Sequence, residues 1–160
     1  AFEPAEPDVM KHPPRARDES LLRGFVVWRV VFVSLLFLAG IFAAWYWAMH
    51  HYGSETTART LAVNTLVAME MFYLFAVRYL DSASITLRGV LGTPVVLLAV
   101  VAVIALQLLF TYLPWFNSTF GSEPLSFPML AFAVGSGIGL LFLLELETAF
   151  RRRLLRAGPG

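Results

Sequence analysis

The stretch FVVWRVVFVSLLFLAGIFAAWYWAM, residues 25–49, decides the fold class of this chain. A helix needs about 20 largely apolar residues to cross a hydrocarbon layer of about 30 Å. The only charged residue in the stretch is Arg29, which lies near one end, where a long side chain can bring its guanidinium to the membrane surface. The stretch therefore predicts a transmembrane helix.

The rest of the chain has the same apolar character. Its 160 residues are 58% hydrophobic and 14% charged, with a mean hydropathy of +0.70, which is too apolar for an ordinary soluble domain. The formal net charge of +1 predicts no nucleic-acid partner. The absence of cysteine excludes a disulfide framework, thiolate metal sites and a cysteine nucleophile. A lipid bilayer is the expected surrounding.

Three further apolar runs are long enough to cross a membrane. The four predicted spans are 25–49, 59–79, 92–113 and 127–146. We therefore expect an all-α membrane protein with four transmembrane helices, in which residues 1–24 form a lead, 25–150 the transmembrane domain and 151–160 a basic tail. The lead is polar and proline-rich, unlike a signal peptide, and begins at Ala1, so the chain is expected to be part of a longer protein.

Orientation follows from the positions of lysine and arginine, which are enriched in cytoplasmic loops. They cluster before the first predicted span, between the second and third, and after the fourth: Lys11, Arg15, Arg17, Arg23, Arg78, Arg88, Arg151, Arg152, Arg153 and Arg156. The two opposite links contain no lysine and are bordered by aromatic residues, as at a membrane surface. We predict that both termini are cytoplasmic and that the protein is a multi-pass protein of the plasma membrane.

Glu70 is the first candidate for a functional residue, because it lies near the middle of the second predicted span. An ionised carboxylate there costs at least a few kcal/mol unless something compensates it. Arg59 shares its helix face but lies about 16 Å away along the helix. Three explanations follow: Glu70 is protonated, it hydrogen-bonds a polar group on another helix, or it helps to coordinate a cation.

Other polar residues within the spans are expected to join helices. Asn64 is rotated by roughly 120° from Glu70, so the two cannot coordinate one ion from a straight helix. Gln107 and Thr111 lie one turn apart on the third span, and interhelical hydrogen bonds are the predicted role of all three side chains. On the fourth span, Ala131, Gly135 and Gly139 form a stripe of small residues that favours the close approach of another helix.

No pattern for catalysis accompanies these residues. The chain contains no glycine-rich phosphate loop and no Ser/His/Asp arrangement, so we assign it no catalytic residue and no bound cofactor of its own. By itself it is not expected to hydrolyse ATP, and the spans offer no catalytic pair for an intramembrane enzyme.

Several segments together resemble one family, the P-type cation-transporting ATPases, and within it the calcium-pump-like branch. The similar segments are MKHPPR at 10–15, the WRV that opens the first span, ARTLAVNTLVAMEMFYLFAVRYL at 58–80, QLLFTYLPWFNSTFGSEPLS at 107–126, and ELE at 145–147 followed by arginines. The resemblance covers essentially the whole chain. It implies the carboxy-terminal part of such a pump, from its seventh to its tenth transmembrane helix.

The resemblance also implies roles for residues and partners. Glu70 falls where calcium pumps of this type place a carboxylate of the transport site, which makes Glu70 the predicted metal ligand. Calcium, manganese, sodium or protons are all compatible with one carboxylate. ATP, magnesium and the phosphorylated aspartate would belong to upstream cytoplasmic domains, and upstream transmembrane helices would supply the remaining ligands. The alternative hypothesis is a free-standing four-helix membrane subunit, anchor or small channel.

Overall fold

The computed structural model describes the backbone of residues 24–80 and 94–157, and the side chains of residues 27–77 and 97–150. The described residues form five helices and no strand: α1 Gly24–Tyr52, α2 Glu55–Leu80, α3 Pro94–Tyr112, α4 Pro114–Phe120 and α5 Phe127–Ala157. The all-α expectation is confirmed. The predictions about the lead, the basic tail and the loop that contains Arg88 concern residues or side chains outside the described ranges.

Within the described ranges, three helices are long and apolar enough to cross a membrane, at Val27–Tyr52, Glu55–Val77 and Phe127–Phe150. A fourth span exists if α3 and α4 are counted together. The predicted number of four transmembrane spans is thus the larger of the two possible numbers for the described residues. The orientation of the termini stays a prediction.

The third span ends in a sharp bend, because α3 and α4 meet at 77°. Leu113 between them is extended, with φ −80° and ψ 122°, and Pro114 opens α4. Proline lacks the N–H that a continuing helix needs and suits the first helical turn, so the bend falls at this residue. Gly121, at φ 61°, then ends α4 in the left-handed conformation that glycine adopts without strain.

The chain divides into two compact units, of which the first ends at Leu35 and the second is Leu36–Gly160. In the first, the rings of Trp28 and Phe32 on α1 stack with their centroids 6.1 Å apart. Within the second, α2 packs mainly against α5, where Gly137 lies directly against the ring of Phe72. The absence of a side chain at Gly137 is therefore what lets these two helices approach each other.

A compact apolar cluster holds the first turns of α2. Seven buried residues form it, namely Ala44, Ala48, Ala58, Leu61, Leu125, Met129 and Ala133. They come from α1, α2, α5 and the loop before α5, so the beginning of α2 is fixed from several sides. The predicted small-residue stripe is not part of this packing: within the described chain, nothing lies within 4 Å of where a Cβ would stand at Gly135 or Gly139. Helix α5 uses its other face, with Ala133 and Gly137, for the close contacts.

Candidate functional site

Glu70 lies on a face of α2 that the described helices leave uncovered. Its side chain is exposed, whereas Leu61, roughly 180° away around the helix, is fully buried. Leu74 and Val77 share the exposed face with Glu70 and are 48% and 42% exposed. Helix α2 therefore has one side that packs within this chain and a second side, carrying Glu70, that is open to other helices.

Glu70 makes no hydrogen bond or ion pair with any described residue. Arg59, which shares its helix face, pairs with Glu55 instead, with its Nη2 3.0 Å from Oε1 of that carboxylate. One of the three explanations for Glu70 was a hydrogen bond to a polar group on another helix. No such bond is present in the described part of the chain. That part also contains no group of three or more histidine, aspartate or glutamate side chains able to hold a metal ion. A cation site at Glu70 would need ligands from elsewhere.

The predicted interhelical role of Asn64 and Thr111 is confirmed. The amide nitrogen of Asn64 lies 3.1 Å from the Thr111 hydroxyl, and the same hydroxyl lies 3.2 Å from the Asn64 carbonyl oxygen. Both side chains are buried, and each also bonds to a main-chain carbonyl one turn earlier on its own helix. Gln107 differs: its buried amide nitrogen has no partner in the described structure, so the expected interhelical bond is not seen there.

The bend after α3 leaves main-chain carbonyl oxygens that a continuing helix would have used, and side chains satisfy them. The Ser122 hydroxyl donates to the Phe110 carbonyl oxygen at 2.9 Å. With its amide turned to donate, Asn117 reaches the carbonyl oxygens of Phe110 and Thr111 at 3.0 and 3.2 Å. The loop after α4 is thereby tied to the end of α3.

The same loop is also tied to the beginning of α2 through Glu123. The Glu123 carboxylate accepts hydrogen bonds from the hydroxyls of Thr57, at 2.6 Å, and Ser54, at 3.3 Å. Its main-chain N–H donates to the Thr60 hydroxyl at 3.0 Å. Ser54 is itself the cap of α2, because its hydroxyl accepts the N–H of Thr57 at 3.2 Å. We call Glu123 with Ser54, Thr57 and Thr60 the α2 clamp.

Sequence reasoning missed the α2 clamp. Ser54 and the two threonines are recognisable as helix-start residues, and Glu123 lies in the loop after Gly121, but Glu123 and Thr57 are 66 positions apart. No spacing rule connects such distant positions, so only the tertiary structure brings them together.

Known proteins resemble this chain along most of its length. Residues 1–150 match the family described as "Cation transporting ATPase, C-terminus". A protein of Mycobacterium tuberculosis named "Probable cation-transporting ATPase F" is 35% identical over 143 residues, which are 88% of this chain and 16% of that protein. A cation-transporting ATPase of Synechocystis is 29% identical over 136 residues, which are 82% of this chain and 15% of that protein.

A further relative carries a more specific name. "Calcium-transporting ATPase 1" of Yarrowia lipolytica is 30% identical over 124 residues, 78% of this chain and 13% of that protein. The chain thus spans only 13–16% of the length of these relatives. Its apolar helices agree with an integral, multi-pass membrane region. The family match and the helical architecture together establish that this chain belongs to the carboxy-terminal membrane region of the P-type cation-transporting ATPases.

Proposed function

We propose that this region supports the cation pathway of a P-type ATPase and that Glu70 supplies one carboxylate to its cation site. The observation that carries the proposal is the placement of Glu70: an exposed carboxylate, without a hydrogen-bond or ion-pair partner among the described residues, on the open side of an apolar helix long enough to cross a membrane. A charge in that position is costly unless a partner compensates it. A bound cation would provide that compensation.

The chemistry of the side chain limits the cation. A carboxylate oxygen suits a hard cation such as calcium, which takes six to eight oxygen ligands. Glu70 would be one ligand among these, and the others would come from the much longer remainder of the protein. Calcium is favoured because one relative is named as calcium-transporting, although manganese, sodium and protons also bind carboxylates. ATP and magnesium would bind in cytoplasmic domains outside this chain.

The packing of α2 suits a supporting role. It is bound to α3 through Asn64 and Thr111, to α5 through the contact of Phe72 with Gly137, and to the loop between α4 and α5 through Glu123. A helix held at so many points would stay in place while other helices move during transport. This chain would then provide a fixed wall of the cation pathway. Family membership favours this function over a free-standing anchor or channel.

The test replaces Glu70 in the full-length transporter. We expect Glu70→Gln to raise the cation concentration that gives half-maximal ATP hydrolysis by about tenfold or more, because the affinity of an oxygen site depends strongly on the number of charged ligands. Glutamine keeps the shape of the side chain and removes only the charge. The measurement is a titration of cation-stimulated ATP hydrolysis in detergent, with calcium first and then manganese and sodium.

Glu55→Gln is the matched control, because Glu55 is an exposed glutamate on the same helix that pairs only with Arg59. The control should titrate like the unmodified protein. If Glu70→Gln also leaves the half-maximal concentration unchanged for every cation tested, Glu70 is not a cation ligand.

A further inference from the structure

The α2 clamp joins three parts of the protein at one point. The loop that carries Glu123 is fixed to α3 by the bond from Ser122 to the Phe110 carbonyl oxygen. Its far end is fixed by the Tyr112 hydroxyl, which donates to the Leu125 carbonyl oxygen at 3.0 Å, and Leu125 itself is buried in the apolar cluster. Glu123 therefore extends from a loop that is anchored on both sides.

The bonds from Glu123 to α2 suit a stable attachment. Thr57 and Thr60 are 8% and 1% exposed, so the hydroxyls that contact Glu123 belong to nearly buried side chains. The carboxylate lies at the first turn of α2, where the positive end of the helix dipole favours a negative charge. The contacts involve positions 54, 57 and 60 and thus hold more than one turn of the helix.

We infer that Glu123 is a positioning residue for cation binding, because it helps to fix the position of α2 along its axis, together with the contacts at Asn64 and Phe72, and thereby the position of Glu70. The inference rests on the proposed role of Glu70. A hydrogen-bonded helix is stiff along its axis, so a shift at Thr57 is carried to Glu70, about 20 Å further along. Glu70 makes no hydrogen bond or ion pair with any described residue, so within the described ranges its carboxylate is placed by the helix that carries it. Ligands around a metal must be held closely, and changes in the residues that orient them weaken metal binding.

The experiment compares alanine and glutamine at position 123 in the full-length transporter. Glu123→Ala removes the oxygen that the Thr57 hydroxyl binds, and we expect it to raise the half-maximal cation concentration by about threefold to tenfold, the size of effect that residues distant from a site typically have on it. The maximal rate of ATP hydrolysis should change much less. Glu123→Gln keeps a carbonyl oxygen in the same place and should restore most of the affinity.

A second variant separates positioning from folding. Thr57→Val removes the hydroxyl that donates to Glu123 and hardly changes the volume of the side chain. Like Glu123→Ala, it should raise the half-maximal cation concentration. Combining the two substitutions should add little to Glu123→Ala alone, because Glu123→Ala already breaks the bond to Thr57 as well as the longer one to Ser54. Glu55→Ala is the control at the same end of α2 and should leave the titration unchanged.

The outcomes distinguish this inference from the proposed function. If Glu70→Gln weakens cation binding while Glu123→Ala and Thr57→Val do not, the proposed role of Glu70 stands and the positioning role of Glu123 is wrong. If Glu123→Ala weakens binding while Glu70→Gln does not, Glu123 does not act through Glu70. If Glu123→Gln is as damaging as Glu123→Ala, loss of the bond to Thr57 is not the cause. A fall in maximal rate with an unchanged half-maximal concentration also contradicts the inference.

Discussion

Leu61→Ala is expected to destabilise the full-length protein strongly. Leu61 is fully buried in the cluster that holds the first turns of α2. Four of its six partners in that cluster are alanines, namely Ala44, Ala48, Ala58 and Ala133, which have no side-chain rotamers with which to fill a cavity. Truncating a buried leucine typically costs about 2–5 kcal/mol, and the cost is highest where the surroundings cannot collapse.

The measurement is the temperature at which half of the full-length protein in detergent loses the cation-stimulated ATP hydrolysis proposed for it. Leu61→Ala should lower this temperature by several degrees. Leu98→Ala is the matched control, because it makes the same leucine-to-alanine change on a helix at a position that is 70% exposed. Its effect should stay within about 0.5 kcal/mol, as for other exposed positions. Equal midpoints for the two variants would mean that this cluster does not hold α2.

The second large effect is expected from one added methyl group, in Gly137→Ala. A Cβ at this position would overlap the ring of Phe72, including Cγ near the root of that side chain, so the ring could escape only by changing its rotamer or by moving α2. Overpacking of this kind costs about 1–3 kcal/mol. The loss should exceed the gain of up to about 1 kcal/mol that alanine brings to a helix in place of glycine.

Two other glycines provide the comparison. Gly135→Ala on the same helix meets nothing within 4 Å in the described chain and should leave the inactivation temperature unchanged or slightly higher. Gly40→Ala would touch the end of the Met69 side chain, which is flexible and can move aside, so its effect should lie between the other two. If Gly137→Ala and Gly135→Ala behave alike, α2 and α5 do not depend on the contact at Gly137.

The helices of this protein could be predicted from its sequence because lipid imposes a simple rule. A chain in hydrocarbon must satisfy its main-chain hydrogen bonds internally, so long apolar runs such as residues 25–49 become helices whatever their neighbours are. The same rule explains why a carboxylate such as Glu70 is conspicuous in one of these runs. The bend at Pro114 also has a local cause, although the predicted third span did not specify its angle.

Which side chains contact each other between helices depends on the tertiary fold. The sequence indicated that Asn64 and Thr111 would join helices, but not that they would join each other. The stripe at Ala131, Gly135 and Gly139 has the spacing of a helix-packing surface, yet α5 packs through Gly137, because helix rotation is decided by the summed contacts of both helices rather than by small residues alone.

The sequence by itself determined that this protein is helical and that it belongs in a membrane, and it singled out Glu70 as a carboxylate that must there be protonated, hydrogen-bonded or bound to a cation, because each of these follows from the cost of placing polar groups in hydrocarbon. Only the tertiary structure decided that Glu70 lies on the open side of α2 and that Glu123 binds the first turns of the same helix. The physical reason is that a hydrogen bond between distant positions depends on how whole helices and loops pack, which no local pattern in the chain records.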